Sequence, residues 1–271
     1  MKHFGLWAGI VLVGGLVLTA LVSLVWTPFD PTAVDPTQRM LQPGWPHLLG
    51  TDSMGIDIAS RLMAGARICL MVGVVAVSIA ALIGVPLGML AGMTGGRLGR
   101  VVMRASDVLY AFPALLLAIL LAAAVGGSTL TGMIAIGVAT IPVFVRITRA
   151  ACLQVMSQDY ILAARSCGTT WATIARRHVW PNIAPLVGVQ ASVSFAMAIL
   201  AEAALSYLGL ATAITTPSWG RMLYEAQSKQ LFSHPEQVIW PGIAIALAVL
   251  GFNLLGDGLR ELLDPRLREV Q

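Results

Sequence analysis

The sequence predicts an all-α polytopic membrane protein with six transmembrane helices, and three observations carry that reading. Of its 271 residues 57% are hydrophobic and only 11% charged, where a soluble domain carries about 25% charge. Mean hydropathy is +0.82. The few charges are gathered together, and the chain between them runs uncharged for lengths that meet or exceed the ~20 residues a helix needs to cross ~30 Å of hydrocarbon.

In order, the uncharged stretches are 4–29, 68–96, 108–145, 178–201 and 237–256. The third is too long for one helix and carries Gly126, Gly127, Ser128 and Thr129 at its middle, a turn composition that divides it in two. The expected spans are 5–26, 68–92, 107–126, 129–150, 184–206 and 238–257, in a single transmembrane domain over 1–271. The first run follows Lys2 and His3 like a secretory signal. It is longer than a signal's apolar region, however, and ends in bulky Val25, Trp26 and Thr27 rather than small residues, so it is a retained span.

Orientation follows from Lys and Arg, which concentrate in cytoplasmic loops. With the amino terminus inside, 12 of the 17 basic residues fall on the cytoplasmic side. Both termini are then cytoplasmic, with outer loops over 28–67 and 209–236 and one long inner loop over 151–182. The net charge of +4 thus marks topology; no basic run or aromatic-interleaved patch points to nucleic acid.

No catalytic or metal constellation emerges. Cys69, Cys152 and Cys167 lack metal-ligand spacing and read as small buried hydrophobes. His3, His47, His178 and His234 are scattered, so no metal site is expected, although His47 and His234 fall in outer loops where a passing metal ion could touch them. There is no nucleophile elbow and no G-x-x-x-x-G-K-[ST] phosphate loop. Asp107 reads as a cap at a cytoplasmic helix start. Asp257, Arg260, Glu261, Asp264 and Arg266 read as an ion network at the last span's inner end. Glu202, uncharged on both sides for many residues, lies in or near the membrane as either a pathway residue or a structural hydrogen-bonding group.

The inner loop is the most informative segment. Its core, DYILAARSCGTTWATIARRHVWPN over 159–182, is helix-compatible up to Trp180, where Pro181 and Asn182 interrupt, and Gly168 divides it. It could rest on lipid headgroups through Trp171, Trp180 and its arginines, or dock on a protein through the small surface of Ala163 and Ala164.

This stretch resembles the loop of ABC importer permeases, whose pattern is Glu-Ala-Ala, three residues, then Gly. Ala163, Ala164, Gly168 and Pro181 match, His178 stands where the family's loop often has a residue of this kind, and Leu162 stands where the glutamate is usual. LGTDSMGIDIASRLMAGARICL over 49–70, ILAEAALSYLGLATAITTPSWG over 199–220 and FNLLGDGLRELLDPRLR over 252–268 are similar to motifs of one branch, the C-type subunits of dipeptide, oligopeptide and nickel importers.

The resemblance implies the type I ABC importer permease architecture in a bacterial cytoplasmic (inner) membrane. The chain would form half of a translocation pathway for peptides, nickel or nickel chelates. Its partners would be a homologous second permease, two cytoplasmic ATPases that bind ATP and Mg, an extracytoplasmic solute-binding protein and membrane lipid, with no cofactor of its own. Ala163, Ala164, Gly168, His178 and Pro181 would dock the ATPase. In the outer loops Asp52, Asp57 and Trp219 belong to a folded cap or to a contact with the binding protein. A start only a few residues before the first span, and LFSHPEQVIWPG over 231–242, look like the shorter nickel permeases and tilt the expectation toward nickel. The competing class is an ion-coupled secondary transporter, which would place polar groups at mid-span; here they gather at span ends and in the inner loop.

Overall fold

The structure, a computed structural model, describes residues 4–211, 216–227 and 234–263. In chain order the α-helices are α1 (Phe4–Val25), α2 (Ile58–Thr94), α3 (Gly96–Tyr110), α4 (Ala114–Val125), α5 (Thr129–Met156), α6 (Asp159–Ser166), α7 (Trp171–Ile174), α8 (Trp180–Tyr207), α9 (Trp219–Ala226) and α10 (Glu236–Leu263). A five-residue π turn, Ala175–Val179, joins α7 to α8 without a break. Five helical rods are long and apolar enough to cross a membrane: α1, α2, α5, α7–α8 and α10. α3 and α4 together make a sixth passage, bent by 83°.

Local chemistry sets several ends. Asp57 caps α2 by accepting the Ser60 N–H, and Ser128 and Thr131 form a reciprocal capping box at the start of α5. Gly126 and Ser128 thus turn the chain where the sequence divides its longest apolar run.

α2 is the hub, packing along α5 and touching α1, α3, α8, α9 and α10. Its contact with α5 rests on Gly84, Gly88 and Gly92, spaced four apart on one face. A Cβ added to them would lie 2.6 Å from Phe144 Cβ, 2.7 Å from Thr148 Cβ and 2.7 Å from Cys152 Cβ respectively. Phe144, Thr148 and Cys152 are also four apart, so two matched ridges run together with the backbones nearly touching. Lipid is as apolar as leucine and gives helices no hydrophobic reason to associate, so close packing of this kind supplies the attraction.

The structure corrects several expectations. α2 begins at Ile58 rather than 68: Arg67, which bounds the uncharged run, lies inside the helix, and Arg61 in its first turns is paired within the fold. α4 has 12 residues and, at 1.5 Å each, about 18 Å of length; the passage expected over 107–126 is instead a bent pair. Pro181 does not interrupt the helix: α8 runs on from α7 through the π turn Ala175–Val179, and the proline lies within the continuous rod. The expected span 184–206 is therefore the end of a rod that starts at Trp171. Asp107 lies near the carboxyl end of α3, where it pairs with Arg146 at 2.7 Å, and so is no amino-terminal cap. Cys69 and Cys152 are buried but Cys167 is exposed. Lys2, His3, Asp264 and Arg266 lie outside the described residues, as does the end of the 252–268 motif.

The ridge makes a graded prediction. Gly88→Ala and then Gly88→Leu should lower the thermal stability of the purified chain stepwise, the larger change by at least the ~1–3 kcal/mol typical of overpacking. Gly14→Leu, at a position with nothing within 4 Å, should leave the unfolding temperature unchanged.

Candidate functional site

At one end of the bundle, α6, α7 and the π turn form an elbow between α5 and α8. α6 is anchored by Ile161, fully buried with Ala151, Cys152, Ile174, Val179 and Ile183 against Met89 and Met93 of α2. This leaves Leu162 and Ala163 exposed and Ala164 half-buried, an uncharged middle of α6 flanked by the exposed charges of Asp159 and Arg165. Gly168 stops the helix with φ +78°. The Thr169 N–H reaches the Ala164 carbonyl at 3.1 Å and the Gly168 N–H reaches Arg165 at 3.0 Å, a Schellman closure that needs the left-handed conformation glycine tolerates.

The rest of the elbow is braced side chain by side chain. The Arg165 guanidinium lies 4.6 Å from the Trp171 ring centroid, and the His178 ring is tilted against Tyr160 of α6 at 5.9 Å. Asn182 Nδ2 donates to the His178 carbonyl at 2.6 Å. Of the residues predicted from sequence, Ala163, Gly168 and Pro181 are exposed, Ala164 and His178 are half-buried, and all five lie on this elbow.

The opposite end carries a folded cap. Asp52 closes a tight loop by accepting the N–H groups of Met54 at 2.8 Å and Ile56 at 3.0 Å. Its other carboxylate oxygen takes Arg61 of α2. Arg61 also pairs with Glu225 of α9 at 2.8 Å, and Glu225 with Arg221 at 2.9 Å. Asp57 binds Ser60 and also His47 Nδ1 at 3.0 Å, while His47 Nε2 lies 2.6 Å from Gln38 Oε1. Trp219 donates Nε1–H to the Leu62 carbonyl at 3.0 Å and presses on Gly65.

Asp52, Asp57 and Trp219 are therefore buried; they build the cap and present no side chain to a partner. The outward surface belongs to neighbours such as Trp45, 91% exposed, and Leu48. His47 is committed to Asp57 and Gln38, and His234 pairs with Glu236 at 2.9 Å. Among the described residues no three potential ligands gather as a metal site.

Glu202 is buried in α8, accepting the Ser206 hydroxyl at 2.6 Å and a second hydrogen bond from Ser218, the residue that caps α9. It ties a membrane rod to the cap. Sequence reasoning missed Arg61 and Glu225, the pivot of the cap. Asp57 and Arg61 four apart at a helix start were a legible hint; Glu225, far along the chain, was not.

A bundle with a small-residue elbow at one end and a self-bonded cap at the other is a recognisable assembly. Residues 84–269 match the family described as binding-protein-dependent transport system inner membrane component. The chain belongs to that family. Among relatives, a dipeptide transport system permease of Alkalihalophilus pseudofirmus is 38% identical over 96% of this chain and 85% of its own. A di/tripeptide permease of Pseudomonas aeruginosa is 40% identical over 94% and 86%, and a glutathione permease of Pectobacterium atrosepticum 39% identical over 96% and 88%. In fold, the chain is similar to the MetNI methionine ABC transporter in an inward-facing conformation, with TM-score 0.64 at 18% identity, over 75% of this chain and 96% of that one. This ABC permease thus has the type I importer architecture.

The cap yields a stability test. Arg61→Ala should strand the buried Asp52 carboxylate and take one of two partners from half-buried Glu225, at a cost on the order of 3–5 kcal/mol, whereas Glu225→Gln, which leaves Arg61 its Asp52 partner, should cost less. Thermal unfolding of the purified permease separates the two, and equal effects would remove Arg61 from the centre of the network.

Proposed function

We propose that this permease forms half of the translocation pathway of an ATP-driven importer of short peptides delivered by an extracytoplasmic binding protein. The observation that carries the proposal is the elbow: α6 presents an exposed Leu162–Ala163 surface, flanked by Asp159 and Arg165, that is held at a set angle by the Gly168 turn and braced onto α8. Such a surface suits docking on a cytoplasmic ATPase, with Mg and ATP bound there and not here. Leu162 in place of the family's usual glutamate makes that contact apolar. A homologous second permease would complete the pathway, and both termini would be cytoplasmic, as the excess of Lys and Arg on the elbow side supports.

Peptide is favoured over nickel by the names of the three relatives, which specify dipeptide, di/tripeptide and glutathione, and by the commitment of His47 and His234 within the cap. The binding protein would meet exposed cap residues such as Trp45 and Leu48 rather than Asp52, Asp57 or Trp219. Glu202 serves in the link between α8 and α9.

In vesicles carrying the complete complex, uptake should require ATP and persist with a protonophore; the reverse would indicate an ion-coupled carrier. Ala163→Asp or Gly168→Trp should abolish substrate-stimulated ATP hydrolysis while insertion stays normal, and stimulation that survives both rejects the docking role. Glu202→Ala with normal assembly but lost transport would move Glu202 from the link to the pathway.

A further inference from the structure

α3 is unlike the other long helices. It packs through Gly99 and Ser106, which are buried, while two separate stripes stay exposed. Leu98, Val101, Ala105 and Val108, spaced three and four apart, form an apolar stripe; Arg97, Arg100 and Arg104 form a basic stripe beside it. None of these three arginines makes an ion pair or side-chain hydrogen bond within the described residues. Asp107, the helix's acidic residue, is taken by Arg146, whose guanidinium also covers the Tyr110 ring at 3.9 Å. Elsewhere the chain pairs its buried arginine twice; here three guanidiniums are left open on one face.

The depth of α3 is set by its neighbours. Arg146 stands 17 residues along α5 from Thr129, about 26 Å at 1.5 Å per residue. Gly99 abuts Ala91, whose neighbour Gly92 touches Cys152, 23 residues along α5 or about 35 Å. α3 therefore straddles the level where ~30 Å of hydrocarbon gives way to headgroups. There it turns by 83° into the membrane-inserted α4. Its apolar stripe lies beside its basic one.

We infer that α3 is an interfacial helix whose Arg97, Arg100 and Arg104 bind the headgroups of anionic phospholipid while Leu98, Val101, Ala105 and Val108 enter the acyl boundary of the leaflet on the elbow side. Depth and charge single out this occupant. A basic stripe at headgroup level complements anionic phosphate, and an apolar stripe adjoining it matches the boundary that a membrane-surface helix occupies. From the proposed function the inference takes only the presence of a bilayer around the bundle, and its readout needs neither ATP nor transport.

The test uses the complete complex in vesicles of phosphatidylcholine with or without phosphatidylglycerol. Cys167, the exposed cysteine, is changed to Ser and a spin label placed by Val101→Cys or Ala105→Cys. Oxygen should relax the label more than a water-soluble nickel chelate does. Greater relaxation by the chelate would place α3 in water, and protection from both reagents would place it under a protein partner; either result overturns the inference. In native mass spectrometry, the delipidated complex titrated with phosphatidylglycerol should bind it on the order of tenfold more tightly than the R97Q/R100Q/R104Q variant does. Equal binding would remove the arginines from the role. Displacement of the lipid by inorganic phosphate at similar concentration would show a site for free anions instead.

Discussion

The contact that the rest of the chain depends on is the one between α2 and α5, where glycines on one ridge let another helix's backbone come within reach of its own. Once α2 is fixed against α5 at that distance, its two ends are fixed as well. One end carries Asp57, Arg61 and Gly65, from which the cap is built; the other carries Met89 and Met93, under which Ile161 and the elbow are seated. The contact tolerates proline in both partners, Pro86 and Pro142, because the surrounding helices supply the packing that a broken backbone hydrogen bond gives up.

Charge placement follows from that frame. Arg61 lies within a helix that continues into the membrane, an expensive position unless the charge is answered, and it is answered twice, by Asp52 and Glu225. The cap is in this sense the counter-ion of α2. Its loop glycines, its aspartates and α9 are arranged so that almost every polar side chain near Arg61 has an internal partner, leaving apolar residues such as Trp45 to face outward.

Much of this was legible in the sequence. Uncharged stretches located the rods, the Gly126–Thr129 region located a turn, and Gly168 marked a break because only a left-handed residue closes that helix as observed. What was not legible depended on distant partners. α2 starts ten residues early, running through Arg67 back to a first turn where Arg61 is paired with a residue more than 160 positions away. Asp107 reads as a cap from local spacing but is claimed by Arg146. Pro181 reads as a stop, yet the helix passes through it by way of a π turn just before it. The outer-loop motif invites a partner contact, but its side chains turn inward, which spacing alone cannot reveal.

The union of α7, the π turn and α8 into one rod has a mechanical consequence. Its 37 residues measure about 55 Å, and its two ends are held by different things: the elbow at one, the Glu202–Ser218 link to α9 at the other. α6 is separated from this rod by the Gly168 turn. A push on the elbow is thus carried along a lever arm whose far end grips the cap, and the irregularities of its first half are the π turn and the prolines Pro181 and Pro185, where torsion rather than translation can be absorbed. The two faces of the membrane are joined by a single stiff element of one polypeptide, without relay through a neighbouring helix.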